Sequence, residues 1–194
     1  MSVITKSQLL QFRNKTRTFS KGITDSLLEF SNESKSQKVT VFLSHKHDEI
    51  AELDAAISLL KSFGVDVYVD WEDDGIPEVT GAKTAERIKK KIKENQKFVF
   101  LATEGAIESK WCNWELGFGD SHKYFQNIAL LPVRKDGTYY SGTEYMRIYS
   151  SIEYLDGTTK TVGGLYLKAG YYVMEPANEE GNRSWVTLKM WLER

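Results

Sequence analysis

Residues 108–117, ESKWCNWELG, hold the side chains of this chain best suited to chemistry. The stretch contains a carboxylate at Glu115, the chain's only cysteine, Cys112, and two tryptophans. A thiolate can act as a nucleophile, and a carboxylate can stabilise a cationic transition state or transfer a proton. Ser109 is a favourable N-cap residue, which predicts that a helix begins there. Trp111 and Glu115 then lie four residues apart on one helix face.

The carboxylate is better supported than the thiol. Cys112 would need a neighbouring base to become a nucleophile, no sequence pattern supplies one, and a buried structural thiol is favoured. Glu115 taken alone could be a solvated helix carboxylate, but an indole beside it lowers the local dielectric and can hold a flat ring or a sugar. The spacing from Trp111 therefore favours a functional carboxylate. Trp114 is assigned to the core, because it forms an apolar pair with Phe118.

Two other clusters imitate metal sites without completing them. His45 and His47 have the H-x-H spacing found after the first strand of some metallohydrolases, but His122 is the only further histidine. A zinc site is therefore not predicted. Residues 70–75 imitate the start of a calcium-binding EF-hand loop, but Gly81 stands where the final glutamate ligand is needed. The sequence thus predicts no metal site.

Strand and helix patterns alternate along the middle of the chain. Short apolar runs rich in β-branched or aromatic residues predict strands, and apolar residues at helical spacing predict the helices between them. Gly64 is the expected C-cap of the first of these helices. The predicted strands cover, in chain order, residues 39–43, 65–69, 98–101 and 128–133.

Strands that are apolar almost throughout and alternate with helices indicate a parallel sheet covered on both faces. The predicted fold class is α/β: a flavodoxin-like, doubly wound, parallel five-stranded sheet in the order 2-1-3-4-5. In such a sheet, ligands bind beyond the carboxyl ends of the strands where the strand order reverses, here between the first and third strands. The loops at that point are residues 44–48 and 103–111, and polar side chains gather in both.

The two ends of the chain lack the regular alternation of strand and helix patterns. Residues 1–37 predict a helical extension and linker, and residues 38–194 a single domain whose portion from about 136 to 183 is irregular. Dipeptides of Asp and Gly at 136–137 and 156–157 predict hairpin turns. The extension has apolar clusters at Leu9, Leu10 and Phe12 and at Leu27, Leu28 and Phe30. A closing amphipathic helix is predicted from Trp185, Leu188, Trp191 and Leu192.

The composition and net charge of the chain limit the classes of binding partner that we expect. The chain has 194 residues, a net charge of -1 and 41% hydrophobic residues, which is typical of a globular protein and indicates neither nucleic acid nor an anionic membrane as partner. No apolar run approaches the roughly 20 residues that span a bilayer, so a cytoplasmic location is expected. The basic run at Arg87, Lys89, Lys90, Lys91 and Lys93 is interpreted as the solvated face of a helix.

Three motifs and their order resemble the Toll/interleukin-1 receptor (TIR) domains, especially the bacterial ones. They are VFLSHKHDE at the first strand, DWEDDGIPE after the second, and KFVFLATEGAIESKWCNWEL across the third strand and its helix. The last contains the family's W-x-x-x-E pattern as Trp111 to Glu115. The resemblance covers roughly residues 38–135.

The resemblance implies an enzyme that cleaves NAD+ at the nicotinamide–ribose bond, with NAD+ as substrate and no further cofactor. Glu115 aligns with the family's essential carboxylate. Nicotinamide leaves a substrate that already carries positive charge, so one carboxylate that stabilises an oxocarbenium-like ribose is sufficient. The implied substrate-binding residues are Ser44, His45, Asp70, Trp71 and Trp111.

The resemblance also implies a biological setting. Bacterial TIR proteins of the Thoeris type act in phage defence, make ADP-ribose or a cyclic isomer of it, assemble through TIR–TIR contacts into homo-oligomers, and can signal to an effector that reads the nucleotide product. Two alternatives stay open on the sequence. One is a non-catalytic TIR module for protein–protein interaction, and the other is an enzyme like the nucleoside deoxyribosyltransferases, which share the sheet and also place a carboxylate at a ribose.

Overall fold

The computed structural model describes residues 3–14, 38–69, 81–140, 142–161 and 163–194. In these residues an eight-stranded sheet carries helices on both faces, which confirms the predicted fold class. The strands are β1 (Ile4–Thr5), β2 (Thr40–Ser44), β3 (Asp66–Tyr68), β4 (Lys97–Ala102), β5 (Ile128–Arg134), β6 (Ser150–Leu155), β7 (Gly170–Met174) and β8 (Trp185–Thr187).

The α-helices that cover the sheet are α1 (Lys6–Leu10), α2 (Ile50–Lys61), α3 (Ala82–Glu94), α4 (Glu104–Glu108), α5 (Lys110–His122) and α6 (Leu188–Glu193). Short 3-10 helices at Phe125–Asn127 and Glu144–Ile148 precede β5 and β6. None of the helices in the described ranges is long and apolar enough to cross a membrane.

The central part of the sheet has the predicted strand order. β2 pairs in parallel with β3 and β4, and β5 pairs in parallel with β4 and β6. The order β3-β2-β4-β5-β6 therefore reproduces the predicted 2-1-3-4-5. The predicted count of five strands was too low, because β7 and β8 extend the sheet in antiparallel fashion beyond β6 and β1 pairs with β5.

The strands that the sequence did not reveal have weak local patterns. β1 has only two residues, too few to show a period of two. β7 and β8 are partly solvated, so they lack the continuous apolar run of a strand buried on both faces. β1 fits beside β5 at Val133 and Arg134, beyond the point where β6 has stopped pairing.

Side chains on β2 alternate between two cores, one on each face of the sheet. Val41 and Leu43 lie in the core that includes residues of α1, α2 and α6. Phe42 lies in the other core, with residues of α3, α4 and α5. Ser44 is two residues beyond Phe42, so it points to the same face. The strand period thus aims the Ser44 hydroxyl at the α5 side of the sheet.

α2 ends close to the predicted point: its C-cap is Ser62, and Gly64, the predicted C-cap, lies two residues beyond. Gly64 follows the helix with φ +81°, a left-handed conformation that glycine adopts without steric cost. Its N–H donates to the Lys61 carbonyl oxygen at 2.9 Å. This turn sends the chain directly into β3.

α3 buries one stripe and exposes its basic side, as predicted. Thr84, Ile88 and Ile92 form the buried stripe. Lys89 lies at the edge of the solvated face, with its ammonium 5.7 Å from the Trp114 ring centroid. The basic face of α3 therefore shields aromatic rings of α5 from water.

The described part of the N-terminal extension packs into the domain core. Ile4 and Leu9 are fully buried there, and Thr5 forms a capping box with Gln8 at the start of α1. Ser7 bonds to the Asp136 carboxylate, which lowers the pKa of that carboxyl. The predicted helix at Leu27, Leu28 and Phe30 lies outside the described residues, and the domain boundary at residue 37 stays a prediction.

The C-terminal part corrects three predictions. The portion from about 136 to 183, predicted as irregular, contains the strands β6 and β7. Asp136 and Gly137 form a turn, but it cannot be a hairpin because β5 and β6 run parallel. Trp185 belongs to β8 instead of the closing helix, since the chain is still extended there and α6 begins only at Leu188. Leu188, Trp191 and Leu192 are buried, so the amphipathic character of that helix was predicted correctly.

Because Leu9 is fully buried, Leu9→Ala should lower the free energy of unfolding by about 2–5 kcal/mol, the usual loss for a core leucine. Denaturant unfolding followed by circular dichroism measures this. The neighbouring Leu10 is only partly buried, and Leu10→Ala should cost clearly less. Equal, small losses for both variants would show that α1 is not part of the folded core.

Candidate functional site

The candidate site lies at the carboxyl ends of β2 and β4. These strands are neighbours and parallel, with Ser44 opposite Phe100 in the register. β2 lies between β3 and β4, so the strand order reverses at this position. An open α/β sheet binds ligands at such a point. The two loops that the sequence assigned to the site are therefore brought together.

Two N-caps give the segment after β4 its shape. The Thr103 hydroxyl accepts from the Ala106 N–H at 3.0 Å and starts α4, and the Ser109 hydroxyl accepts from the Cys112 N–H at 3.3 Å and starts α5. The α5 start at Ser109 is as predicted. Each cap satisfies an N–H group that the helix leaves unpaired. The break between the helices turns α5 across the sheet.

Asn113 stabilises the corner between α4 and α5, a role that the sequence alone did not reveal. Its side-chain amide donates to the carbonyl oxygens of Ile107 and Ser109, both at 2.8 Å. Its carbonyl oxygen accepts a hydrogen bond from the Tyr145 hydroxyl. Asparagine is a weak helix former, and its side chain tends to form hydrogen bonds with nearby backbone groups. An asparagine four residues after the Ser109 N-cap was therefore the sequence signal that could have identified this contact.

Glu115 is buried and bonded across the sheet edge. Only 1% of its surface is exposed, and the Ser44 hydroxyl, itself fully buried, donates to its Oε2 at 2.6 Å. Residues 44 and 115 come from different elements, β2 and α5. The carboxylate is thus held in one position and separated from bulk water. In such surroundings a fixed negative charge interacts more strongly with a developing positive charge than it would in water.

Trp111 lies one turn before Glu115 on α5, as predicted. Its ring packs on Trp114 with 4.8 Å between centroids, and Trp114 packs on Phe118 at 6.1 Å. All three rings are half-buried against the core of that face, so the Trp114–Phe118 pair forms as expected. The Trp111 indole N–H is buried and has no hydrogen-bond acceptor within the described part of the chain.

Cys112 is a structural residue of the site. It is buried, as predicted, and its thiol donates to the His45 carbonyl oxygen at 3.1 Å. This weak bond ties α5 to the loop after β2. The contact explains why the chain's only cysteine stands beside the candidate carboxylate.

His45 is a buried residue of the loop after β2. Its ring lies 5.4 Å from that of His47, and Nδ1 lies 3.3 Å from the Leu43 carbonyl oxygen. His122 stacks on Phe118 at the last turn of α5. The fold therefore does not bring the three histidines together, and the described residues contain no cluster of side chains suited to a metal ion.

Four of the six predicted site residues lie together around the start of α5: Ser44, His45, Trp111 and Glu115. The other two, Asp70 and Trp71, lie outside the described residues. The part of each residue in binding a substrate stays a prediction.

A separate cleft of about 380 Å³ opens at the same sheet edge, beside the starts of α2 and α4. Burial raises the pKa of Glu49 in its wall, while a hydrogen bond from the Thr103 hydroxyl opposes that change. A Cβ at Gly105 would lie 2.6 Å from Glu49 Oε1, so the end of the Glu49 side chain would have to shift to admit a larger residue there. The cleft is lined by Lys6, Glu49, Glu52, Thr103, Glu104, Gly105, Glu108, Val133, Arg134 and Lys135.

Comparison with known proteins agrees with this geometry. Residues 41–163 match a family model described as a TIR domain. The chain is also 28% identical, over 92 residues, to a Cytobacillus dafuensis protein named as a candidate cyclic ADP-D-ribose synthase, TIR2. That alignment covers 45% of this chain and 24% of the relative. The chain therefore spans about a quarter of the length of that relative.

Ser44→Ala should destabilise the protein, because it removes a hydrogen bond to a buried carboxylate. The expected loss in the free energy of unfolding is about 1–3 kcal/mol. Ser121→Ala is the matched control, since that hydroxyl is exposed and makes local contacts within α5, to the Phe118 carbonyl oxygen and the adjacent His122 ring. Denaturant unfolding of the three proteins tests this, and a loss no larger than that of the control would contradict the inferred importance of the bond.

Glu49→Gln should stabilise the protein near neutral pH. The folded-state pKa of Glu49 is raised above its ordinary value of 4.5, so its favourable contribution is complete below that pH and is lost as pH rises through the folded-state pKa. Glutamine keeps an acceptor for Thr103 and carries no charge. We expect an increase in Tm at pH 7 of no more than about 4 °C.

Thermal unfolding at a series of pH values from 7 to 4.5 measures the effect, with the exposed Glu179→Gln as control. The difference between Glu49→Gln and the unmodified protein should shrink as the pH falls. A difference that stays constant or grows toward acid would have the wrong sign for a carboxyl with a raised pKa.

Proposed function

The chain belongs to the TIR domain family, and on that premise we propose that it cleaves NAD+ between nicotinamide and ribose. The single observation that carries the proposal is the buried Glu115 carboxylate, held by Ser44 at the edge where the strand order reverses. Such a group suits a reaction whose transition state gains positive charge at a sugar carbon. The proposed substrate is NAD+, and the reaction needs no further cofactor.

The proposed chemistry breaks the bond between ribose C1′ and the pyridinium nitrogen. The electron pair of that bond moves to the nitrogen, so nicotinamide leaves as a neutral molecule without a general acid. Positive charge spreads over C1′ and the ring oxygen of the ribose, and the Glu115 carboxylate stabilises it. Water attacking C1′ and then losing a proton yields ADP-ribose.

A cyclic product follows the same first step. A nitrogen of the adenine of the same molecule, or another nucleophilic group of it, attacks C1′ in place of water. The similarity to a protein named as a candidate cyclic ADP-D-ribose synthase supports this second outcome. The choice depends on how well the site excludes water while it folds the substrate back on itself.

The neighbours of Glu115 have parts in this proposal. Trp111 offers the substrate an aromatic surface one turn before Glu115, and its buried indole N–H has no acceptor within the described residues. Ser44 orients the carboxylate, and His45, Asp70 and Trp71 contact the rest of the substrate. The positions of Ser44, His45, Trp111 and Glu115 are those of the structure. The roles proposed for them, and for Asp70 and Trp71, follow from the family resemblance.

The biological part of the proposal is a cytoplasmic role in bacterial antiphage defence. There the protein would act as a homo-oligomer joined by TIR–TIR contacts and release a nucleotide that an effector protein reads. Neither nucleic acid nor a membrane is a partner in this proposal.

Glu115→Gln should abolish NAD+ cleavage and leave the fold intact. Glutamine has the same shape and still offers an acceptor to the Ser44 hydroxyl, but it has no negative charge to stabilise the cationic transition state. We expect a fall in the rate of nicotinamide release of about 100-fold or more, as for removal of other preorganised transition-state contacts. Chromatography of NAD+ incubated with the purified protein measures the rate and also identifies the second product.

Two control variants separate this effect from indirect ones. Glu108→Gln removes an exposed carboxylate beside α5 and should keep full activity. Cys112→Ser keeps a donor for the His45 carbonyl and should also remain active. Full activity of Glu115→Gln would overturn the assignment, and absence of turnover in the unmodified protein at high concentration would favour a non-catalytic TIR module.

A further inference from the structure

A second charged position lies at the opposite end of the sheet, where the strands begin. Lys97 is the first residue of β4 and is only 3% exposed. It lies beside the start of β5, and the end of α6 packs over it. No part of the NAD+ proposal uses this end of the molecule. A buried ammonium there needs a physical account, because lysine is rarely buried unless it is paired.

The contacts of Lys97 use only part of the hydrogen-bonding capacity of its ammonium group. One N–H donates to the Asn127 side-chain oxygen at 2.7 Å, and the ammonium lies 4.8 Å from the centroid of the Trp191 ring. That ring is held in place because its indole N–H donates to the Gln126 carbonyl at 2.8 Å. An ammonium has three N–H groups, so these neutral partners leave donor capacity.

No carboxylate of the described residues forms a salt bridge with Lys97. Burial lowers its pKa, and the positive charges of Arg194 and Lys123 lower it further. Burial also lowers the pKa of Lys123, whose ammonium donates to the Asn95 carbonyl oxygen. The base of the sheet therefore gathers the positive charges of Lys97, Lys123 and Arg194, and no carboxylate of the described residues pairs with Lys97.

Lys97 lines a small cleft that reaches the surface. Its volume is about 100 Å³. Arg194 adds a second positive charge to the wall and Glu175 one negative charge, and the Glu175 carboxylate already accepts a hydrogen bond from the Ser184 hydroxyl. The remaining wall is formed by Gln126, Asn127, Ser150, Val173, Val186 and Trp191.

We propose that this cleft binds a compact oxyanion, of the class of inorganic phosphate or sulfate, through the Lys97 ammonium. The cleft is far smaller than the roughly 300 Å³ at which sites for larger organic ligands begin, so a nucleotide does not fit inside it. A small anion supplies the negative charge that Lys97 lacks, Ser150 adds a hydroxyl donor, and Arg194 lies at the rim.

The anion would stabilise the attachment of the C-terminal elements. The wall of the cleft combines residues from the starts of β4 and β6 with residues from β7, β8 and α6. A ligand bound between these segments favours the folded state in which they are together. Phosphate binding therefore links the base of the parallel sheet to its antiparallel extension.

Thermal unfolding in phosphate and in chloride, matched for pH and ionic strength, tests the proposal. Phosphate should raise the Tm of the unmodified protein in a saturable manner. Lys97→Met keeps an unbranched side chain of similar length without charge, and its apparent affinity for phosphate should fall about tenfold or more. Lys83→Met, at an exposed lysine of α3, is the control and should respond to phosphate like the unmodified protein.

Lys97→Arg covers the case in which Lys97→Met does not fold, since arginine keeps the positive charge and should retain phosphate binding. Phosphorus NMR line broadening by the unmodified protein, and its loss on competition with sulfate, provides a reading that does not depend on unfolding. Equal Tm increases in phosphate for the unmodified protein and Lys97→Met would show only the general stabilising effect of this salt and would overturn the proposal. Absence of line broadening at millimolar phosphate would overturn it as well.

Discussion

The burial of one acidic side chain, Glu115, constrains the whole carboxyl edge of the sheet. A carboxylate that is 1% exposed needs hydrogen-bond donors placed to meet it, and the Ser44 hydroxyl at 2.6 Å is one of them. This requires β2 to end with a serine on the α5 face and α5 to start at the right residue. The hydrogen bond between Ser44 and Glu115 thus depends both on the register of β2 and on the Ser109 cap.

The contacts around this bond form a connected set. Thr103, Ser109 and Asn113 shape the two-helix corner through short-range hydrogen bonds, and Cys112 joins α5 to the loop after β2. Each of these bonds is weak alone. Together they fix the direction in which α5 leaves the corner, and hence the place of Glu115. Preorganisation of this kind is what an electrostatic mechanism of catalysis needs, because no reorganisation energy is then spent during the reaction.

The two ends of the same parallel sheet carry opposite charges in buried positions. Glu115 lies at the carboxyl edge, where the Ser44 hydroxyl donates to it, and Lys97 lies at the amino edge beside Asn127 and Trp191. The elements added to the five-stranded core lie away from Glu115: β1 and α1 complete one face, and β7, β8 and α6 close the far edge. Stability can therefore be contributed there without altering the candidate active site.

The sequence alone determined the alternation of strands and helices that makes a parallel sheet, the region where α2 ends and the start of α5, because periodicity and caps are local properties of the chain. The preference for Glu115 over Cys112, which rests on i, i+4 spacing, stays a prediction. The sequence did not place β1, β6, β7 or β8, most of which are short or partly solvated, nor did it reveal the role of Asn113. Only the tertiary structure decided that Ser44 bonds to Glu115, that the Cys112 thiol meets the His45 carbonyl, and that Lys97 is buried beside Trp191. Those contacts join residues 67 or more positions apart, and no local pattern encodes which distant side chains a fold brings within hydrogen-bonding distance.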